Sequence, residues 1–327
     1  MAYRAEVIAD SVSPQGKRVT TLEVELPRIV LAEFNTHRMF SRNSASSRAI
    51  PVHKQLRKLL NEPFIPEKFG RNQPGMQSFT FLEGYKHEEA VRLWLKARDK
   101  AATSAFEMLL GESYSGWCFG YNRENNEFAT VEQLNDGFDA AIKHFNKELK
   151  KENPADTDIL NVHKQICNRI LEPFMWHTVV VTATEWSNFM ALRVDEHAQA
   201  EIRKPAELML AALEASTPEE LGYGQWHLPF VQPDEAKDLD IETKIKVSCA
   251  RCARTSYLTH KNVRDFTEDV VMYSRLAGPG HMSPMEHACR PLEVGEQQKG
   301  NLLGWHQHRA DLPHEDDFGK IKATRAG

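Results

Sequence analysis

The sequence predicts a globular fold that mixes β-strands with long helices, and three stretches carry that prediction. In "RVTTLEVELPRIVLAEFNTHRMF", residues 18–40, β-branched and alternating residues give way at Pro27 to an apolar helical pattern. From Lys86 to Leu110, apolar residues recur at helical spacing over a length no strand reaches. In "FMWHTVVVTATEWSNFMAL", residues 174–192, a continuous apolar run leads into a second helical pattern.

Taken in order, the first stretch reads as a strand, a sharp entry at Pro27 and a helix through Ile29, Val30, Ala32 and Phe34 that ends near Phe40. The segment "THRMFSRNSASSRAIP" leaves from the end of that helix. "NEPFIPEKFGRNQPGMQS" is rich in Pro, Gly and Asn and is expected to be irregular. Val91, Trp94, Leu95, Ala102, Ala105, Phe106 and Leu109 line one face of the long amphipathic helix. Phe138, Ile142, Phe145 and Leu149 form another stripe, on a lysine-rich helix before the polar linker "KKENPADTD". This region, about 110–160, reads as a peripheral insertion that serves packing or surface rather than chemistry.

A strand is expected at Thr178–Thr182, then a long helix from near Glu185 that Pro205 kinks or restarts. "GYGQWHLPFVQPDEAKD" is a connector, which sets a soft boundary between segments 1–225 and 226–327 of one catalytic domain. Helices follow at "TKIKVSCARCARTSYL" and "RDFTEDVVMYSRLA". One faint echo runs through the chain: a strand, then a helix ending in "THR" near residue 38, against a strand, then a helix ending in "QHR" near residue 309.

With 41 Lys and Arg against 46 Asp and Glu, the net charge is −5. No overall basic field draws this chain to nucleic acid, so any anion site must be local. The opening "MAYRAEVIAD" lacks the apolar core of a signal peptide. The most apolar run contains His177 and Glu185 and reads as a buried strand and helix, not a membrane span. A cytoplasmic location, in a cell or an infected host cell, with neither membrane nor nucleic-acid partner, is therefore expected. Cys118, Cys167, Cys249, Cys252 and Cys289 are odd in number and scattered, which fits reduced thiols. "CARC" has no second ligand pair for zinc, and no metal is expected.

Candidate chemistry concentrates in a few places. Arg38, Arg42 and Arg48 stand among Ser41, Asn43, Ser44, Ser46 and Ser47. Planar guanidinium forks beside hydroxyls suit a phosphate, and a solvated loop is the plain alternative. Arg193, His197 and Glu201 are spaced four apart on the expected helix and so share a face. That face is either turned into a ligand site or is a surface charge ladder. His281, Glu286 and His287 flank a Ser-Pro turn, as acid–base groups, metal ligands or parts of a hydrogen-bonded turn; His306, His308 and His314 are equally open. There is no Gly-rich dinucleotide fingerprint, no P-loop, no GxSxG elbow and no cysteine placed as a nucleophile.

"THRMFSRNSASSR" resembles the RHRxxSxNxxSxR signature of the flavin-dependent thymidylate synthases (the ThyX family), with His37, Arg38, Ser41, Asn43, Ser46 and Arg48 on the pattern. Thr36 departs from it, standing where the family has its first arginine. "NFMALRVDEHAQAEIR" resembles the family's later helix, NFLxLRxxxxAQxEIR. "CARTSYL" and "GHMSPMEH" are similar to the early AARxSY and HxSPFEH segments, yet they follow the first motif here instead of preceding it. The resemblance thus implies a circularly permuted relative, or a partly duplicated one.

What the resemblance implies is an α+β fold with a mixed sheet and long helices, a homotetramer, and sites built around FAD by several subunits. It implies conversion of dUMP to dTMP, with 5,10-methylenetetrahydrofolate as carbon donor and NADPH as reductant: a methyltransferase whose partner is a small nucleotide. By the matched positions, Ser44, Ser46, Arg48, Arg169 and Arg193 would bind dUMP, with Arg193 at the uracil edge. His37, Arg38, Ser41, Asn43, Asn188, Ser256 and Ser283 would contact FAD. Arg193 and His281 would be the catalytic residues, His281 lying by the flavin and folate. Thr36 and the permuted order leave room for a sister reaction, a flavin- and folate-dependent pyrimidine hydroxymethylase. A nucleotide-binding protein without catalysis is the alternative of another class.

Overall fold

The computed structural model describes residues 3–111, 121–122, 127–128, 131–151 and 157–313; Cys118 and His314 lie outside them. Its first elements are β1 (Arg4–Val12), β2 (Arg18–Pro27), α1 (Leu31–Phe34), β3 (Ser41–Ser44), α2 (Val52–Asn61) and α3 (Tyr85–Leu110). Next come β4 (Tyr121–Asn122), β5 (Glu127–Phe128), α4 (Val131–Glu148), α5 (Lys164–Cys167) and β6 (Trp176–Ala183). The chain continues through α6 (Ser187–Arg193), α7 (Ala200–Ala215), β7 (Glu219–Glu220), α8 (Ile241–Arg254), α9 (Phe266–Ala277), β8 (Cys289–Pro291) and β9 (Trp305–Gln307). The fold is α+β. Among the described residues no helix is long and apolar enough to cross a membrane.

Within the described residues the chain forms two compact units. The first comprises Pro27–Ile29 and Ser46–Trp176; the second holds the remainder, so residues on both sides of position 225 belong to it.

The second unit is built on a five-stranded sheet in the order β3-β6-β2-β1-β7. β1 runs antiparallel to β2 but parallel to β7, and β3 antiparallel to β6, so the sheet is mixed. Side chains alternate across a strand. Leu22, Val24 and Leu26 of β2 join Val179, Val181 and Ala183 of β6 in an apolar core with Phe34, Phe189, Ile202 and Met209. Thr21 and Glu23 point the other way and are also fully buried. Glu23 meets Arg4, His260 and Lys261 there. Burial opposes its ionisation, but the bonds from His260 and Lys261 outweigh burial and hold its carboxyl down at about 2.

The first unit is helical. Leu56 and Leu59 of α2, Phe106 and Leu110 of α3, Phe138, Ile142 and Phe145 of α4, and Phe174 share one core. The stripe in the apparent insertion is therefore packing, although Leu149 at its end is exposed.

Several local expectations give way to local chemistry. The helix after Pro27 stops at Phe34, not near Phe40, because the Thr36 hydroxyl donates to the Glu33 carbonyl at 2.6 Å and ends the turn. Within the arginine- and serine-rich segment, Ser41–Ser44 form strand β3. The long helix from Glu185 is two helices, and the break comes at residues 194–199, before Pro205, which lies inside α7. Asp195 makes that break by accepting from the His197 backbone N–H at 2.8 Å, a side-chain turn that competes with the helix. The "QHR" echo is not a helix end: Gln307 closes β9, and the next residues form a 3-10 turn.

α8 and α9 are joined by charge at their contact. Asp269, fully buried, accepts from Arg251 Nε at 3.0 Å and Arg254 Nε at 2.7 Å. Removing the carboxylate takes from both guanidinium groups the buried acid they share, leaving Arg251 with Glu235 and Arg254 with Glu268 nearer solvent, so Asp269→Ala should lower stability by about 3–5 kcal/mol in urea unfolding. A loss below about 1 kcal/mol, the range of an exposed pair, would show the pair to be dispensable.

Candidate functional site

β3 presents four polar residues in alternation. Ser41 and Asn43 are buried, whereas Arg42 and Ser44 are half-buried. Opposite them on β6 stand Thr182, Val181, Val180 and Val179 in that order from Ser41 to Ser44. Ser41 Oγ donates to Asn301 Oδ1 at 3.1 Å and accepts from Gln307 Nε2 at 3.2 Å. The Asn43 amide donates to the Arg42 carbonyl at 2.9 Å and to Ser283 Oγ at 3.2 Å. Ser256, in the 3-10 turn Thr255–Tyr257, and Ser283, opening the turn Ser283–Glu286, both belong to segments packed against β3. Ser41, Asn43, Ser256 and Ser283 are thus brought together.

His37 and Arg193 meet as well. Arg193, the last residue of α6, donates from Nε to His37 Nε2 at 3.2 Å. The His37 ring rests edge-on against Phe189, with centroids 4.8 Å apart at 86°. Burial, then Arg193 and Arg42, lower the pKa of His37. A guanidinium only donates, so Nε2 must accept, and His37 is neutral with its proton on Nδ1. Arg193 has no carboxylate partner among the described residues, and its charge stays uncompensated. The expected ladder does not form, since the helix breaks between its members. His197 pairs with Asp195 in the break, and Glu201 is buried in α7.

Other expected residues are placed singly. Arg38 and Asn188 are exposed, and within the described residues neither side chain makes a hydrogen bond. His281 is exposed beyond α9, its backbone N–H donating to the Leu276 carbonyl at 2.8 Å. Ser46, Arg48 and Arg169 belong to the first unit. There Asn168 Nδ2 donates to the carbonyls of Ser47 (2.6 Å) and Ile50 (2.8 Å), tying the turn that carries Arg48 to the segment that carries Arg169. Arg48 is exposed, whereas Arg169 pairs with Glu172 at 3.1 Å.

The histidines left open by the sequence are largely structural. His287 and His227 belong to a buried chain of bonds through the polar face of the sheet. Ser11 Oγ lies 2.9 Å from His227 Nδ1, and Thr21 Oγ1 lies 2.8 Å from His227 Nε2. Thr21 and Thr182 hydroxyls are 2.6 Å apart, and Thr182 Oγ1 is 2.8 Å from His287 Nδ1. His287 Nε2 ends the chain 3.4 Å from the Asn43 amide. Burial holds His227 down at about 4 and His287 at about 3. His306 is held by Asp311 at 2.6 Å, and His308 by the Tyr273 hydroxyl at 2.8 Å. Cys167, Cys249, Cys252 and Cys289 are buried and free, and burial pushes their thiols up, away from the nucleophilic thiolate.

Sequence reasoning missed one feature here. A cavity of about 850 Å³ in the second unit is lined by Arg38, Phe40, Arg42, Glu286, Lys299 and Arg309, among others. The "QHR" echo hinted at Arg309; nothing in the sequence pattern marked Lys299.

The profile of the family described as "Thymidylate synthase complementing protein" matches residues 10–219, more than half of the chain. A search of curated proteins finds no match. The matched range includes His37, the whole of β3, Arg48, Arg169, Asn188 and Arg193, and leaves out Ser256, His281 and Ser283.

The buried histidines set a pH dependence. Unfolded, each takes a proton near about pH 6.5; folded, each stays neutral to far lower pH. Between about pH 6.5 and about pH 4.5 the unfolded state therefore binds more protons, and stability falls as pH drops, by on the order of 1.4 kcal/mol per pH unit for each imidazole. Thermal midpoints measured across that window should fall steadily, and His227→Gln should flatten the slope. A flat profile for the unsubstituted chain would contradict the buried neutral assignment.

Proposed function

Since the chain belongs to the family of thymidylate synthase complementing proteins, we propose that it is a flavin-dependent thymidylate synthase, transferring a one-carbon unit from 5,10-methylenetetrahydrofolate to C5 of dUMP with FAD and NADPH as reductants. The observation that carries this reading is the Arg193–His37 contact. Two motifs 156 positions apart in the chain, each similar to a motif of that family, meet at one hydrogen bond.

In this reading Ser46, Arg48 and Arg169 hold the nucleotide phosphate, Arg48 as the stronger anchor because Glu172 offsets Arg169. Ser44 completes the nucleotide side. The residues present fit a flavin dinucleotide: Arg38 and Asn188 offer free donors, and Ser283 and Ser256 offer hydroxyls beside β3. Ser41 and Asn43, buried and already bonded, fix the position of Ser283 and its neighbours. FAD, when bound, supplies the reducing equivalents of the reaction. Arg193 acts on the pyrimidine. Its charge, faced among the described residues by a neutral imidazole and no carboxylate, favours the ionised pyrimidine whose C5 attacks the one-carbon unit. His281, exposed, stands on the flavin and folate side. A homotetramer would complete the sites.

The permuted order is supported by the packing of the turns holding Ser256 and Ser283 on β3, since these turns resemble the family's beginning but come from beyond residue 219. One observation favours the hydroxymethylase variant: at the position of the signature's first arginine, Thr36 is neutral and bonds its own turn.

The purified chain should show flavin absorbance or bind added FAD. Arg193→Ala should keep its flavin and its thermal midpoint but lose about 10²–10³ in product per flavin. Near-normal turnover would remove Arg193 from the site. Arg48→Ala should weaken dUMP binding by about 1.5–3 kcal/mol, with Arg48→Lys recovering part of it, as calorimetry would read.

A further inference from the structure

Lys299 and Arg309 lie outside the range matched by the family profile, yet they line the same cavity as Arg38 and Arg42. Four cationic side chains and one carboxylate, Glu286, meet there, a local excess of positive charge on a chain whose net charge is −5.

The arrangement is built, not incidental. Gly300, at φ +86°, turns the chain beside Lys299, and a Cβ there would run into Gln307 Oε1. Gln307 in turn accepts from the Asn301 N–H at 3.2 Å and donates to the Glu286 carbonyl at 2.9 Å. Asn301 Nδ2 donates to the Met39 carbonyl at 3.1 Å. The turn bearing Lys299, the end of β9 preceding Arg309 and the segment between Arg38 and Arg42 are thus tied together.

Among the described residues, the four charges are unequally satisfied. Arg309 pairs with Glu286, the one acid among the described residues of the lining. Arg42 donates to the Phe34 carbonyl at 3.3 Å, and burial and Arg38 lower its pKa against the pull of Glu286. The side chains of Arg38 and Lys299 make no hydrogen bond or ion pair among the described residues. Like charges gathered in a partly desolvated cavity repel unless an anion joins them.

We propose that this cavity binds a diphosphate group, with Lys299 and Arg309 as cationic arms from beyond the range that the family profile matches. Four cationic side chains on three separate segments can engage two linked phosphoryl groups, and the volume suits a nucleotide-sized ligand rather than a single ion. Guanidinium forks and an ammonium are the groups that bind linked phosphoryl oxygens. The diphosphate comes either from the dinucleotide cofactor or from a free nucleoside diphosphate. The inference deepens the flavin reading and rests on it for the first of these sources.

Calorimetry of the full chain with pyrophosphate, ADP, FAD and adenosine tests it. Pyrophosphate, ADP and FAD are expected to bind and adenosine not. Lys299→Gln and Arg309→Gln should each weaken binding roughly tenfold, and Glu286→Gln should tighten it. Wild-type binding should also weaken steeply with added salt, a readout that needs no variant. Binding of pyrophosphate and ADP without FAD supports the cavity and removes the flavin reading. FAD affinity unchanged in both Gln variants overturns the inference and leaves the flavin reading standing. Failure of every diphosphate to bind, or binding indifferent to salt, overturns it too.

Discussion

The arrangement of the second unit depends on Ser41–Ser44 being held as an edge strand against β6. Nothing in "SRNS" favours a strand, since Ser and Asn are poor strand formers and the stretch has no apolar face. Its partners impose the conformation. The β6 ladder takes one edge, Asn301 and Gln307 bond Ser41, and Ser283 bonds Asn43. Once the strand is fixed, alternation does the rest. Two side chains are committed to the interior and two are left half-buried, with Arg42 delivered to the cavity it shares with Arg38.

The sheet behind that strand is unusual in being buried on a polar face as well as an apolar one. Such a face is stable only when each group finds a partner, because an unpaired polar group loses its water without compensation. Here Thr21, Thr182, His227 and His287 satisfy one another in series, and Glu23 gathers Arg4, Lys261 and His260. Burial, which keeps those histidines neutral, also lowers the pKa of His37 on the apolar side, where Arg193 and Arg42 add to it. A neutral His37 leaves the arginine's charge available, so the electrostatics of the proposed pyrimidine site follow from packing several residues away.

Much of this was legible in the sequence. The period of apolar residues located α3, α8, α9 and β6, since those elements bury a regular face. The arginine- and serine-rich segment and Arg193 stood out by composition and by their likeness to family motifs. What escaped was whatever depended on a single competing hydrogen bond or on distant partners. Thr36 ends α1 early, and Asp195 divides one expected helix into α6 and α7, which dissolves the Arg193–His197–Glu201 ladder. The strand character of β3 is written in β6 and in residues 283–307, not in its own four letters. Lys299 and Arg309 reach the cavity through a glycine turn and a hairpin that carry no periodicity. His287, open to several roles in the sequence, is fixed by Thr182 and burial as a structural link.

The central claim is that the nucleotide and one-carbon chemistry of a thymidylate synthase takes place on this scaffold. The most direct measurement is mass analysis of the nucleotide after incubating the chain with dUMP, methylenetetrahydrofolate, NADPH and FAD. The account predicts a product identical in mass and chromatographic behaviour to dTMP, formed only when every component is present. Recovery of hydroxymethyl-dUMP would keep the site and change the reaction; recovery of unaltered dUMP from flavin-loaded, nucleotide-bound protein would contradict the account.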